Sequence, residues 1–213
     1  MPIKAVIFDF GGVLLRTEDP GGRREWEKRL GLQTGELDRL VFGSDTTDGS
    51  MVGLATQDDV WQRVAARLGL DDETLHELRR DFWSGDQLDV ELVQFVRGLR
   101  RRCKTAILSN AWPGARRAFV QRFGLGDAVD EIIVSSEECI AKPDARIYRI
   151  AAERLGVAPQ EALFVDDMEE NVEAARAIGM RGIRFGNTRQ AIAEIQKHLD
   201  GPGCALAYGQ RQR

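Results

Sequence analysis

Histidine, cysteine and long apolar runs are scarce in this 213-residue chain, and each shortage removes a class of function. Only two histidines are present, His76 and His198. Both fall in helical patterns far from any nucleophile motif, so a Ser-His-Asp or Cys-His enzyme would lack its base. The three cysteines, Cys103, Cys139 and Cys204, are an odd number at wide, irregular spacings. That fits neither a disulfide framework nor a zinc motif, and they read as reduced thiols. No apolar run approaches the roughly 20 residues that span a bilayer, and the N-terminus lacks a signal-peptide h-region. The expectation is a cytoplasmic protein without a membrane partner. Excess positive charge is missing too: the net charge of -4 leaves no basic footprint for nucleic acid. Anionic substrates would have to be drawn in by local groups.

What is present is the balance of a soluble globular protein, 43% hydrophobic and 30% charged. The length suffices for one domain with a large insertion or for two small ones. Residues 4 to 8 read as a short buried strand. From about Arg16 to Gly85 strand signals vanish, and helical patterns take over at 23–30, 35–41, 56–68 and 72–83. Thr56 with Asp59 has capping-box spacing, and Gly69 supplies a helix stop. After Asp89 a helix runs to about Arg102. Strands at 104–109, 131–135, 162–166 and 182–185 then alternate with helices at 114–123, 144–155, 169–178 and 188–199. Alternation of this kind predicts a doubly wound parallel sheet, an α/β core with an inserted helical domain. The boundaries expected are 1–15 and 86–200 for the core, 16–85 for the insertion, and 201–213 for a flexible tail. The crossings near 16–22 and 84–89 are rich in Gly, Asp or Ser and read as hinges.

The chemistry gathers where strands end. Asp9 sits between the apolar run Ile7-Phe8 and the glycines Gly11-Gly12, at the carboxyl end of a strand, where open α/β proteins bind ligands. Taken alone, it reads equally as a turn cap. Ser109 and Asn110 end a second strand, although Ser-Asn before Trp112-Pro113-Gly114 is also an ordinary turn sequence. Lys142 precedes Pro143, read in the first turn of the next helix; taken alone, it reads equally as a solvated loop lysine. Asp166 and Asp167 follow another strand. Adjacent carboxylates raise each other's pKa unless a cation is near, and Mg²⁺ suits such oxygen ligands. Helix capping, by Asp166 with Glu169 and Asp167 with Glu170, is the compatible alternative. Trp61, Trp83 and Trp112 read first as core residues.

In order and setting, these four segments resemble the motifs of the haloacid dehalogenase-like hydrolase superfamily, over about residues 4 to 187. The resemblance implies a Rossmann-like core with a helical cap, and a Mg²⁺-dependent phosphatase acting on a small phosphorylated metabolite through an aspartyl-phosphate. It makes Asp9 the nucleophile and a metal ligand, with the Gly11 carbonyl, Asp166 and Asp167 as further ligands. Ser109, Asn110 and Lys142 would bind the phosphoryl group, Lys142 offsetting its charge. One residue departs from the pattern. Family phosphatases carry a second aspartate two residues after the nucleophile, as general acid and base, and this chain has Gly11. Without a substitute the loss is worth about 10²- to 10⁴-fold in rate; Glu18 and Asp19 are the nearest candidates. Gly11 keeps two other readings open. One is a binding or regulatory module with the fold but weakened catalysis. The other is a 2-haloacid dehalogenase, whose halide leaves without a proton and without a metal.

Overall fold

The structure, a computed structural model, describes residues 1–43 and 49–200. The tail read at 201–213, Cys204 included, lies outside the described residues. The chain runs β1 (Ala5–Phe8), β2 (Leu15–Thr17), α1 (Gly21–Leu30), α2 (Glu36–Phe42), a 3₁₀ turn (Ser50–Val52), α3 (Gln57–Leu68) and α4 (Asp72–Phe82). It continues with β3 (Asp86–Leu88), α5 (Val90–Leu99), β4 (Lys104–Ser109), α6 (Ala115–Arg117) running into a π-helical turn (Ala118–Arg122), and β5 (Glu131–Val134). The last elements are α7 (Ser135–Glu138), α8 (Ala145–Leu155), a 3₁₀ turn (Pro159–Glu161), β6 (Ala162–Asp166), α9 (Glu169–Ala177), β7 (Arg181–Arg184) and α10 (Thr188–Leu199).

β1 is apolar at every position because both faces of the sheet are covered. Side chains alternate across a strand, so Val6 and Phe8 enter one core cluster and Ala5 and Ile7 the other. β4 and β6 follow the same rule: Ile107, Leu163 and Val165 share the side of Phe8, whereas Ala106, Leu108 and Phe164 share that of Ile7. α5 and α10 close the first face with Leu92, Val96, Ile195 and Leu199. α8 and α9 close the second with Ile147, Tyr148, Ala151 and Ala175. Full burial of such side chains is worth about 1.5–3 kcal/mol each. The five strands lie in the order β5-β4-β1-β6-β7, all parallel. This is the doubly wound sheet expected from the sequence. β1 is central, with β4 and β6 on either side, so Asp9, Ser109 and Asp166 come off neighbouring strands at one edge.

Between β2 and β3 the described residues are helical, apart from turns, and build their own cluster of Trp26, Leu37, Val41, Trp61, Leu75, Leu78 and Phe82. The capping box at Thr56 and Asp59 forms, and Gly69 ends α3 in the left-handed conformation. The sequence gives no sign of β2 and β3. These three-residue strands pair antiparallel, Leu15 opposite Leu88 and Thr17 opposite Asp86, where hinges were expected. Beside them Arg16 donates to Asp89 at 2.6 Å and Asp89 caps α5 through the Leu92 N–H; the Thr188 hydroxyl also donates to Asp89. Gly85 lies so close to the backbone of Asp19 that a Cβ there would clash. Two helix starts also differ from expectation. Pro143 lies ahead of α8 rather than in its first turn, and Asp144 is the N-cap, its side chain accepting from the Arg146 N–H. Met168 is the N-cap of α9, so neither Asp166 nor Asp167 forms a capping box.

Candidate active site

Lys142 is the hub. It is only 3% exposed, not a solvated loop lysine, and its ammonium lies 2.8 Å from Asp9 Oδ1 and 2.7 Å from Asp166 Oδ2. A buried ammonium is stable only when paired, and two carboxylates provide more than one charge of compensation. Burial works against the charged lysine, but Asp9 and Asp166 together outweigh it and raise its pKa. The backbone of Lys142 is fixed as tightly as its side chain. Asn110 donates from Nδ2 to the Lys142 carbonyl at 2.9 Å and accepts from the Lys142 N–H at 2.8 Å. Expected to bind substrate, the Asn110 amide is thus engaged with Lys142. Ser135 Oγ accepts from the Ala111 N–H at 3.0 Å and fixes the next step of the same loop.

The two aspartates after β6 are occupied differently. Asp166 is fully buried; Oδ1 accepts from the Met168 N–H at 2.8 Å, and both oxygens accept from Asn171 Nδ2 at 3.1 Å, beside the bond to Lys142. Tyr148 in turn donates to the Asn171 carbonyl at 3.0 Å. Asp167 is half-buried and makes no ion pair with any described residue. Burial and the neighbouring Asp166 charge raise its pKa, as expected of a carboxylate that lacks a cation. Asn171 went unnoticed in the sequence, where it looks like any polar residue in the first turn of a helix.

Asp9 Oδ1 accepts from both Lys142 and the Phe10 N–H, the latter at 2.7 Å, whereas Oδ2 has no hydrogen bond to a described residue. Ligand oxygens of Asp9, Asp166 and Asp167 lie within 4.8 Å of one another. Hard oxygen donors at this spacing, two with unengaged atoms, fit a small divalent cation such as Mg²⁺. The Ser109 hydroxyl, 4% exposed at the same edge, likewise has no partner among the described residues.

Glu18 and Asp19, the candidates for a missing acid, are held elsewhere. Glu18 accepts from Arg16 Nε at 2.9 Å, and Asp19 accepts from the Gly21 N–H at 2.8 Å. A Cβ built on Gly11 meets nothing within 4 Å. Gly12 is the opposite case: its φ is +80°, and a Cβ there would run into the Asp167 carboxylate. Gly12→Ala should therefore cost at least about 2 kcal/mol of stability, from the left-handed backbone and the displaced Asp167. If these aspartates hold Mg²⁺, its affinity should fall as well. Chemical denaturation and calorimetric titration would show both; an unchanged metal affinity would mean that Asp167 is not a ligand.

Burial, opposed by Lys142 and reinforced by Asp166, pushes Asp9 up to about 7 from an ordinary 3.8. In the metal-free protein the native state then keeps a proton that the unfolded chain has already lost. Stability is highest below about pH 4 as far as this group is concerned, and it declines as pH rises toward 7. The thermal midpoint in EDTA should fall from pH 5 to 7.5, and Asp9→Asn should flatten that slope. Parallel curves for the two proteins would contradict the assignment.

A family model described as haloacid dehalogenase-like hydrolase matches residues 3–179. A phosphatase of Mycobacterium tuberculosis is 32% identical over 216 residues, spanning 95% of this chain and all of the relative. Among solved structures, a Bacteroides thetaiotaomicron enzyme of the same family, in complex with magnesium and inorganic phosphate, superposes with a TM-score of 0.69 at 22% identity. The match covers 85% of this chain and 93% of that one, and shows the fold. An L-2-haloacid dehalogenase of Xanthobacter autotrophicus with chloropropionic acid covalently bound superposes with a TM-score of 0.61 at 25% identity. It covers 96% of this chain and 86% of that one.

Proposed function

This chain belongs to the haloacid dehalogenase-like hydrolases, and we propose that it is a Mg²⁺-dependent phosphatase acting on small phosphorylated metabolites. The observation that carries the reading is the free Asp9 Oδ2 beside a buried, doubly paired Lys142. A carboxylate attacks phosphorus only where its own charge and that of the phosphate are offset. Asp9 Oδ2 forms the bond to phosphorus, giving an aspartyl-phosphate that water then hydrolyses. Lys142 holds the nucleophile in place and offsets charge on the phosphoryl oxygens, and Ser109 donates its hydroxyl to one of them. Asn110 fixes the lysine's backbone, while Asp166, itself held by Asn171, fixes its ammonium. Asp9, Asp167 and the Gly11 carbonyl would hold Mg²⁺, with Asp166 committed to Lys142. The metal's chemistry would be to neutralise and orient the phosphoryl group.

The helical segment between β2 and β3 serves as the cap. Two contacts with the core support this: Gly53 lies against the backbone of Ser136, and Trp112 packs into the segment's apolar cluster. The relatives agree in kind, one named a phosphatase and one holding magnesium and phosphate. Phosphate release from a panel of esters, with Mg²⁺ and again with EDTA, is the test. Activity should require the metal, and full activity in EDTA would sink the mechanism. A second reading, haloacid dehalogenation, draws on the Xanthobacter likeness and on Gly11. Chloride release from 2-chloropropionate without metal would favour it, but the unengaged Asp167 beside Asp9 speaks for the metal enzyme.

A further inference from the structure

Two independent observations narrow the leaving group, given the phosphatase reading above on which this rests. The first is proton supply. When Asp9 Oδ2 bonds to phosphorus, the ester P–O bond breaks and its electron pair stays on the ester oxygen. An alkoxide, whose conjugate acid is about as weak as water (pKa about 15.7), must be protonated as it leaves. A phenolate, with a conjugate acid near 10, leaves as the anion and takes its proton from solvent afterwards. The carboxylates gathered with Asp9 are Asp166 and Asp167. Asp166 is bound to Lys142 and Asn171, and Asp167 is assigned above to the metal. Gly11 offers no side chain, Glu18 is held by Arg16 and Asp19 by the Gly21 N–H. None of these five positions offers a free carboxylic acid to protonate a leaving alkoxide.

The second observation is an aromatic wall. Three residues beyond Ser109, Trp112 leaves the core loop and packs into the cluster built by α1–α4, the one side chain from outside that segment among the described residues to do so. Its ring lies nearly parallel to Phe42, with centroids 6.0 Å apart and planes 11° apart, and edge-on to Trp83 at 6.2 Å. Phe42 is 39% exposed, and Trp83 and Trp112 are half-buried. The nearby guanidinium of Arg23 is spent on Asp38, Asp86 and the Phe82 carbonyl. A sugar or polyol needs partners for its hydroxyls. These three rings offer only indole N–H groups, and that of Trp112 is buried without an acceptor. A flat apolar group needs no such partners.

We infer that the substrate is an aryl phosphomonoester, its ring set against Trp112, Phe42 and Trp83, and that Trp112 is a specificity-determining residue. The proton argument and the wall use different residues and select the same chemistry. Phenyl phosphate, glycerol 3-phosphate and acetyl phosphate separate the two, because acetyl phosphate has a good leaving group but no ring. With Mg²⁺, kcat/KM for phenyl phosphate should exceed that for glycerol 3-phosphate by at least about 10²-fold. Trp112→Ala should lower the ratio of phenyl to acetyl phosphate turnover about tenfold. Phenylphosphonate should inhibit the unaltered enzyme about ten times more tightly than methylphosphonate, a comparison that needs no variant. If Trp112→Ala fails to fold, Phe42→Ala at a more exposed position should shift the same ratio in the same direction. Equal turnover of phenyl and glycerol phosphates, or equal inhibition by the two phosphonates, overturns the inference while leaving the phosphatase reading intact. No phosphate released from any of the three compounds, acetyl phosphate included, overturns the reading itself.

Discussion

Asp9→Asn should lower phosphatase turnover by at least about 10⁴-fold, because under the proposed mechanism it removes the attacking oxygen and a metal ligand at once. The fold should survive. Asn accepts hydrogen bonds from Lys142 and the Phe10 N–H as Asp9 does, and a neutral side chain suits a site where burial already pushes the native acid up to about 7. At pH 8 without metal the variant should therefore melt no lower than the unaltered protein. Stability and activity then move independently, which a variant that merely misfolds would not show. Retained turnover in Asp9→Asn, with a normal melting curve, would mean that another group attacks phosphorus.

Gly11→Asp should raise turnover of alkyl phosphates by about 10²-fold or more, and that of aryl phosphates much less. The open space around Gly11 favours this experiment: beyond the adjoining residues no heavy atom lies within 4 Å of a Cβ there, so a side chain can start from this position without a clash. Only a poor leaving group needs the proton that this carboxyl would deliver. The quantity to measure is the slope of log rate against leaving-group pKa across a series of esters, steep before the substitution and shallow after it. A slope already shallow in the unaltered enzyme would show that an acid is present, and equal gains for alkyl and aryl esters would show that the new group acts some other way.

The sheet was readable because its strands are short apolar runs bounded by turns, and residues 5–8, 105–109 and 162–166 are buried on both faces, as a covered parallel sheet requires. Asp9 and Asp166 stood out for a related reason: a charged residue directly after a buried strand has few structural explanations. What could not be read was pairing that depends on partners distant in sequence. β2 and β3 are three residues each, carry no alternation of their own, and exist because residues some seventy positions apart meet. Asn110 stood out at a strand end, but nothing in Ser109-Asn110 announces the backbone of Lys142, 32 residues on, which its amide holds. The division of labour between Asp166 and Asp167 was equally hidden. Adjacent residues in a chain look alike until the fold turns one inward and leaves the other at the rim.

The pairing of Thr17 with Asp86 means that the chain departs from the core and returns to it at a single point, by two strands lying side by side. The described residues between 18 and 85 are therefore joined to the core through one stem, touch it again at Ser136 and Trp112, and pair with none of the five parallel strands. A two-residue reverse turn joining Thr17 to Asp86 would close that stem as an ordinary hairpin. Such a shortened chain would keep Asp9, Ser109, Lys142, Asp166 and Asp167 on their strands and loops. The helical segment is in this sense an exchangeable part, and another could be grafted onto the same stem to give the same catalytic edge a different clientele.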